Sequence, residues 1–159
     1  MDTFLERNCI SLGKDLVADG TSEVLSAVED MSGYDEITFI VKHGDVDAAA
    51  VMTYTVKENT ASSTSSPTPT SITGTVVTGT GATISSGALT ITESSGNLDD
   101  KIIAITVAHS ALSKRYVFLS ITCTVESHEV DSIITIKSKA KSLPVTQSSD
   151  VVATLQAAS

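Results

Sequence analysis

Three histidines, two cysteines and four close-set groups of acids are the side chains of this sequence that could do chemistry. A transition-metal site would draw on His43, His109, His128, Cys9 and Cys123, since imidazole and thiolate are the ligands that fill a tetrahedral shell. The histidines stand far apart, with no i,i+2 or i,i+4 pair, and each falls at an expected strand end or in a loop. They are expected to be solvated or to tether loops. The acids come as Glu29-Asp30, Asp35-Glu36, Asp45 with Asp47, and Asp99-Asp100. Paired carboxylates can move protons or bind Ca²⁺, but each pair is expected in a turn, where solvation and local hydrogen bonding favour Asp and Glu anyway. Asp45-Val46-Asp47 has the i,i+2 spacing of a Ca²⁺ loop and lacks the remaining ligands. Gly-x-Ser-x-Gly, His-Glu-x-x-His and cysteines at zinc spacing do not occur. The glycines of 74–81 have neither the lysine nor the following helix that a phosphate loop needs. The reading is a protein that is not an enzyme and uses no cofactor or metal.

The elements that would position these residues are strands. Lys114 to Val125 is the longest β-type run, with Val117, Leu119, Ile121, Cys123 and Val125 on one face and Tyr116, Phe118, Ser120, Thr122 and Thr124 on the other. It reads as a central strand, and the two aromatics on its polar face predict that this end is covered too. Further strands are expected at Glu36 to His43, ended by Gly44-Asp45, and at Ala48 to Glu58, the two forming an antiparallel hairpin. Lys101 to Ala108 and Ser132 to Lys139 complete the body, with a polar turn over Glu126 to Asp131. Thr21 to Met31 fits helix and strand alike, and the all-β context favours strand. Cys9 to Leu12 reads as a short edge strand in an N-terminal arm, followed by a turn at Asp19-Gly20.

Residues 60–95 hold twenty Ser and Thr, with Pro67-Thr68-Pro69 and glycines from Gly74 to Gly87. Such composition predicts a flexible insertion, most disordered over Ala61 to Thr70, with one or two small hairpins at the sheet edge. The domain plan is an arm over 1–20, a single body over 21–147 and a tail over 148–159.

With 159 residues the chain has room for one ordinary core. Its net charge of −9 provides no basic face for nucleic acid or anionic lipid. Cys123 is expected inside the core and Cys9 as an incidental thiol, with a bridge between them left open. The first residues lack the apolar region of a signal peptide, and no run approaches a membrane span, so synthesis and retention in a cytoplasm are expected.

Four short stretches carry a resemblance: Tyr34-Asp35-Glu36-Ile37-Thr38-Phe39-Ile40-Val41, Asp99-Asp100-Lys101, Ser113-Lys114-Arg115-Tyr116-Val117 and Lys141-Ser142-Leu143-Pro144-Val145-Thr146. Together they resemble a family of small tailed-bacteriophage structural proteins, some of which are cement or decoration proteins on the outside of the head. The resemblance spans 21–147 and omits the Ser/Thr-rich stretch. It implies a jelly-roll β-sandwich that self-associates, as dimers in preference to trimers. It also implies a virion protein that locks major capsid subunits together, with Lys114, Arg115 and Tyr116 as contact positions. The alternative for these residues is that Arg115 pairs with an acidic neighbour and Tyr116 caps the core. Rival functions are a phage tail or neck component, or a carbohydrate-binding adhesin-type sandwich; against the latter stand the absence of Trp and an aromatic content of 4%.

Overall fold

The computed structural model describes residues 4–15, 17–20, 22–72, 82–85, 88–92, 98–124, 127–141 and 149. A one-turn helix, α1 (Phe4–Arg7), leads into β1 (Cys9–Lys14) and β2 (Val17–Gly20). Both pair with the last strand, β12 (His128–Ser138), which pairs with β5 (Glu36–Val46), and β5 pairs with β10 (Ile102–Ala108). The second sheet is built on β11 (Tyr116–Thr124) and β6 (Val51–Asn59), joined in continuous register from Tyr116↔Asn59 to Thr124↔Val51. Two-residue strands β3 (Val24–Leu25) and β4 (Glu29–Asp30) border β11. Beyond β6 lie β7 (Thr70–Ser71), β9 (Ala88–Thr92) and β8 (Ala82–Ser85). All pairings are antiparallel, and the two sheets pack against each other as an all-β sandwich.

The inward phase of each strand is the apolar one. Ile37, Phe39 and Val41 of β5 and Met52 and Tyr54 of β6 share one fully buried cluster with Val117, Leu119 and Ile121 of β11. The expected covering at the aromatic end of β11 is present: Phe118, on the outer phase, has no exposed surface, and Tyr116 is half-buried. Cys9 and Cys123 are both buried and both free thiols.

Several expectations are corrected. The segments expected to form a hairpin, β5 and β6, lie in different sheets, so their apolar faces meet across the core and the turn between them is a corner. Ala49 takes a left-handed conformation there (φ 73°), and Ala50 N–H donates to Asp47 O at 3.1 Å. Gly44 does not end β5. A Cβ on it would sit 2.9 Å from side-chain atoms of Glu129 and Asp131, so glycine lets β5 pass close beneath β12. The polar turn expected over Glu126 to Asp131 is replaced, from His128 onward, by strand. Register shifts flank Val130, and the buried phase changes from His128 and Val130 to Ile133 and Thr135. A phase change of this kind hides a strand from any search for strict alternation. Asp19-Gly20, expected as a turn, closes β2.

The histidines depart most from expectation. His43 and His128 are buried within strands, and His109 opens a 3₁₀ turn (His109–Ala111). His43 Nδ1 lies 3.1 Å from Glu129 O, which can only accept, so Nδ1 carries the proton and Nε2 accepts from the Tyr54 hydroxyl at 2.8 Å. Burial first, and then the charge of a protonated His128, push the His43 pKa below its ordinary value. The folded protein therefore takes up this proton less readily than the unfolded chain. The associated stability is complete above about pH 6.5 and is lost as pH falls from there toward the lower folded pKa. Thermal unfolding followed from pH 7.5 to 5 should show a falling melting temperature, with the slope reduced in His43→Gln; equal slopes would exclude His43 as the cause.

Glu29 is also corrected, from a solvated turn to a buried strand position that ties the sheets together. Its Oε1 accepts from Ser11 Oγ at 2.5 Å and Thr135 Oγ1 at 2.7 Å, and its Oε2 lies 3.0 Å from Lys137 Nζ. Lys137 in turn sits 5.1 Å from the centre of the Tyr34 ring. Burial opposes ionisation of Glu29, but the two hydroxyl bonds and the Lys137 charge outweigh it and hold the carboxyl below its ordinary range.

The stretch following β6 closes into a loop around one side chain. The fully buried Asn59 donates Nδ2 to Ser63 O at 2.8 Å and Pro67 O at 2.9 Å, while its Oδ1 accepts from Thr60 N at 2.7 Å. Ser63 Oγ accepts from the N–H groups of Ser65 and Ser66. A hairpin, β8–β9, does border the sheet as expected. The stretch from Ser142 through Thr146 and the tail, apart from Ser149, lie outside the described residues.

Candidate contact site at the start of strand β11

The structure places Lys114, Arg115 and Tyr116 at one end of the sandwich, where the loop from the 3₁₀ turn enters β11. What fixes this corner is Glu58. Continuing the inward phase Met52, Tyr54, Val56 by two residues puts a carboxylate on an apolar face, and the chain meets it with donors. Glu58 accepts from Ser113 N at 2.7 Å, Lys114 N at 3.0 Å, Thr70 Oγ1 at 3.3 Å and the Ser113 hydroxyl. Burial raises the pKa of Glu58, yet the bonds from Ser113, Lys114 and Thr70 prevail and keep it charged, below the ordinary range.

Arg115 faces the other way. Its Nε and a terminal nitrogen reach the two carboxylate oxygens of Asp30 at 2.8 and 2.6 Å, a bidentate pair. Its guanidinium also stacks 5.2 Å from the centre of the Tyr116 ring. The pairing raises the Arg115 pKa, and the Arg115 bond lowers that of Asp30. The side chain is still 57% exposed, so the pair orients the guanidinium more than it stabilises the fold. The alternative reading of Arg115 as the partner of an acidic neighbour therefore describes its free state. Lys114 Nζ donates to Thr70 Oγ1 at 2.8 Å, bringing the Ser/Thr-rich loop to the same corner.

Tyr34-Asp35 arrives here as well. Met31 N–H donates to Arg115 O at 3.0 Å and Tyr34 N–H to Met31 O at 3.2 Å, while Asp35 pairs with Lys141 at 3.3 Å. Burial, followed by Cys9 and Glu29, raises the Tyr34 pKa. Asp99-Asp100-Lys101 goes to the opposite end, where Asp100 N–H donates to Gly44 O and Lys42 pairs with Asp100 and Asp131. The first stretch thus adjoins this corner only through the turn at Met31, and Asp99-Asp100-Lys101 lies away from it. A scan against protein-family models and a search of curated proteins both return no match for the chain.

Sequence reasoning missed Glu58, Asp30 and Thr70. The signal for Glu58 was present, as an acid in the inward phase of a strand. Asp30 and Thr70 carried none, because their roles depend on which strands lie beside β11 and β6. Among the described residues, no three His, Cys, Asp or Glu side chains gather so as to hold a metal ion, and no helix is long and apolar enough to cross a membrane.

Proposed function

We propose that this protein is a decoration protein of a tailed-phage head, seated on the outer capsid surface through the end of the sandwich that carries Lys114, Arg115 and Tyr116. The observation that carries the reading is the built corner itself: Arg115 is held by a bidentate pair with Asp30, stacks on Tyr116 and accepts at its backbone oxygen from Met31, at the start of the turn that leads into Tyr34-Asp35. A corner that presents a stacked Arg–Tyr pair with its polar groups already oriented loses little entropy on docking, and Arg and Tyr are the side chains that most often anchor interfaces.

The strand order supports reading the sandwich as a jelly roll. Taking β1 with β2 and β3 with β4 as single runs, and setting aside the two-residue β7 and the added edge strand β8, eight runs remain. In chain order they lie 1-8-3-6 in one sheet and 2-7-4-5 in the other, the arrangement of two interleaved Greek keys. Such a fold carries many functions, so the corner and not the fold bears the proposal.

Decoration requires no catalysis. A protein that binds the expanded shell and not its precursor stabilises the shell by mass action. Tyr116→Ala should weaken attachment to heads roughly tenfold or more, the loss of one interface anchor, while the melting temperature of the free protein shifts little because Tyr116 is only half-buried. Sedimentation of wild type and variant with expanded heads checks this; equal binding would remove the corner as the contact.

A further inference from the structure

The geometry points to a second copy of this chain as the partner of strand β10, adding antiparallel about a two-fold axis at Ile105 so that the sheet continues from one molecule into the next. Among the described residues β10 pairs on one side only, with β5. The other sheet borders are interrupted: β1 shifts register between Leu12 and Lys14, β3 and β4 are two residues each, and β8 has four. Short, broken strands are how proteins blunt a sheet edge, and β10 lacks every such device. It runs for seven residues, Ile-Ile-Ala-Ile-Thr-Val-Ala, in unbroken register with no charge and no proline.

The direction of its hydrogen bonds follows from its two ends. His43 N–H donates to Lys101 O at 3.0 Å, and His109 N–H donates to Asp35 O at 2.7 Å. With the register constant between these points, the odd-numbered residues of β10 bond to β5. Residues 102, 104, 106 and 108 then aim their N–H and C=O groups away from β5, at the open edge. Self-pairing centred on Ile105 sets Ile102 against Ala108 and Ala104 against Thr106. These are the hydrogen-bonded positions, and symmetry repeats each, for about eight backbone bonds. On the core side Ile103 meets Val107, and Ile105 meets its own counterpart. All three of these side chains are half-buried in the single chain and packed against the core, so a second copy covers apolar surface that the sandwich leaves partly open. On the outer side Ala104, Thr106 and Ala108 are small enough for close approach, and Ile102, 65% exposed, gains a neighbour. The first charge encountered, Lys101, lies beyond the paired strand. A chain of net charge −9 can meet itself here because this edge carries none of that charge. The pairing does not depend on the decoration reading.

Cysteine trapping tests it. Opposed residues at a non-hydrogen-bonded position have Cα atoms about 4.5 Å apart, within disulfide reach. The two native thiols are buried. Ile105→Cys under mild oxidation is expected to give a covalent dimer near 33 kDa, twice 16.5 kDa, whereas Ile103→Cys, whose own counterpart lies several residues away, gives none. Ala104→Pro removes an edge donor without touching the β5 ladder and should raise the dimer dissociation constant at least tenfold by light scattering. Wild-type protein that stays monomeric with no Ile105→Cys cross-link overturns the proposal. So does a dimer that persists in Ala104→Pro and is not trapped at Ile105, since another face would then hold it. Slow amide exchange at 102, 104, 106 and 108 in a monomer would assign the edge to another segment of the same chain and overturn it equally.

Discussion

Glu29→Ala should lower the unfolding free energy by about 3–5 kcal/mol, the range for breaking a buried ion pair from one side. The Glu29 side chain is 8% exposed and that of Lys137 13%, so removing the carboxylate leaves an ammonium with little water to replace it. The same change removes the acceptor that the Ser11 and Thr135 hydroxyls share, leaving them only each other and the weaker bond to Ser11 O. The loss also falls between sheets, because β4 belongs to one and β1 and β12 to the other. Urea unfolding measures it. If the cost is that of the orphaned charge, the double variant Glu29→Leu with Lys137→Met recovers most of the stability, as apolar replacements of buried pairs commonly do. A double variant as unstable as the single one would show that the geometry of the pair, and not its charge, holds the sheets. Since the Glu29 carboxyl is held below its unfolded value, its contribution is complete above about pH 4.5 and lost as pH falls below that.

Phe39→Ala has the second large effect, about 3–5 kcal/mol from lost transfer energy and the cavity left behind. Phe39 has no exposed surface, and its strand is paired on both sides, with Phe39 opposite Ile105 on β10 and Thr135 on β12. Neither neighbouring strand can move into the space without breaking its register, so the cavity cannot collapse. Phe39→Leu, which keeps most of the volume, should cost much less. Equal losses for the two variants, read from urea midpoints at unchanged slope, would contradict the packing assigned to this position.

These two residues also mark how much of the molecule could be read from its sequence. Phe39 sits in plain alternation with Ile37 and Val41, and wherever that pattern runs unbroken, in β5, β6, β10 and β11, the strand and its inward face were legible. Glu29 was not, because a carboxylate beside Asp30 looks solvated until Ser11, Thr135 and Lys137 arrive from strands distant in the chain. The N-terminal half of β12 was hidden by its change of phase around Val130. The turn between β5 and β6, expected at Gly44-Asp45, falls instead between Val46 and Val51, and the sequence could not say that it is a corner, because a hairpin and a crossover between sheets present the same alternation. At the candidate site the chemistry was not legible: nothing local to Arg115 says that Asp30 waits beside it, since β4 reaches that place only by pairing with β11.

The central claim is that the Arg115–Tyr116 corner docks on an assembled shell. It is tested most directly by mixing the purified protein with expanded heads and, separately, with unexpanded proheads of the phage proposed to encode it, then measuring co-sedimentation. Saturable binding to expanded heads alone, lost in Tyr116→Ala, is the predicted result. Binding to neither particle, or to isolated tails in place of heads, would contradict it.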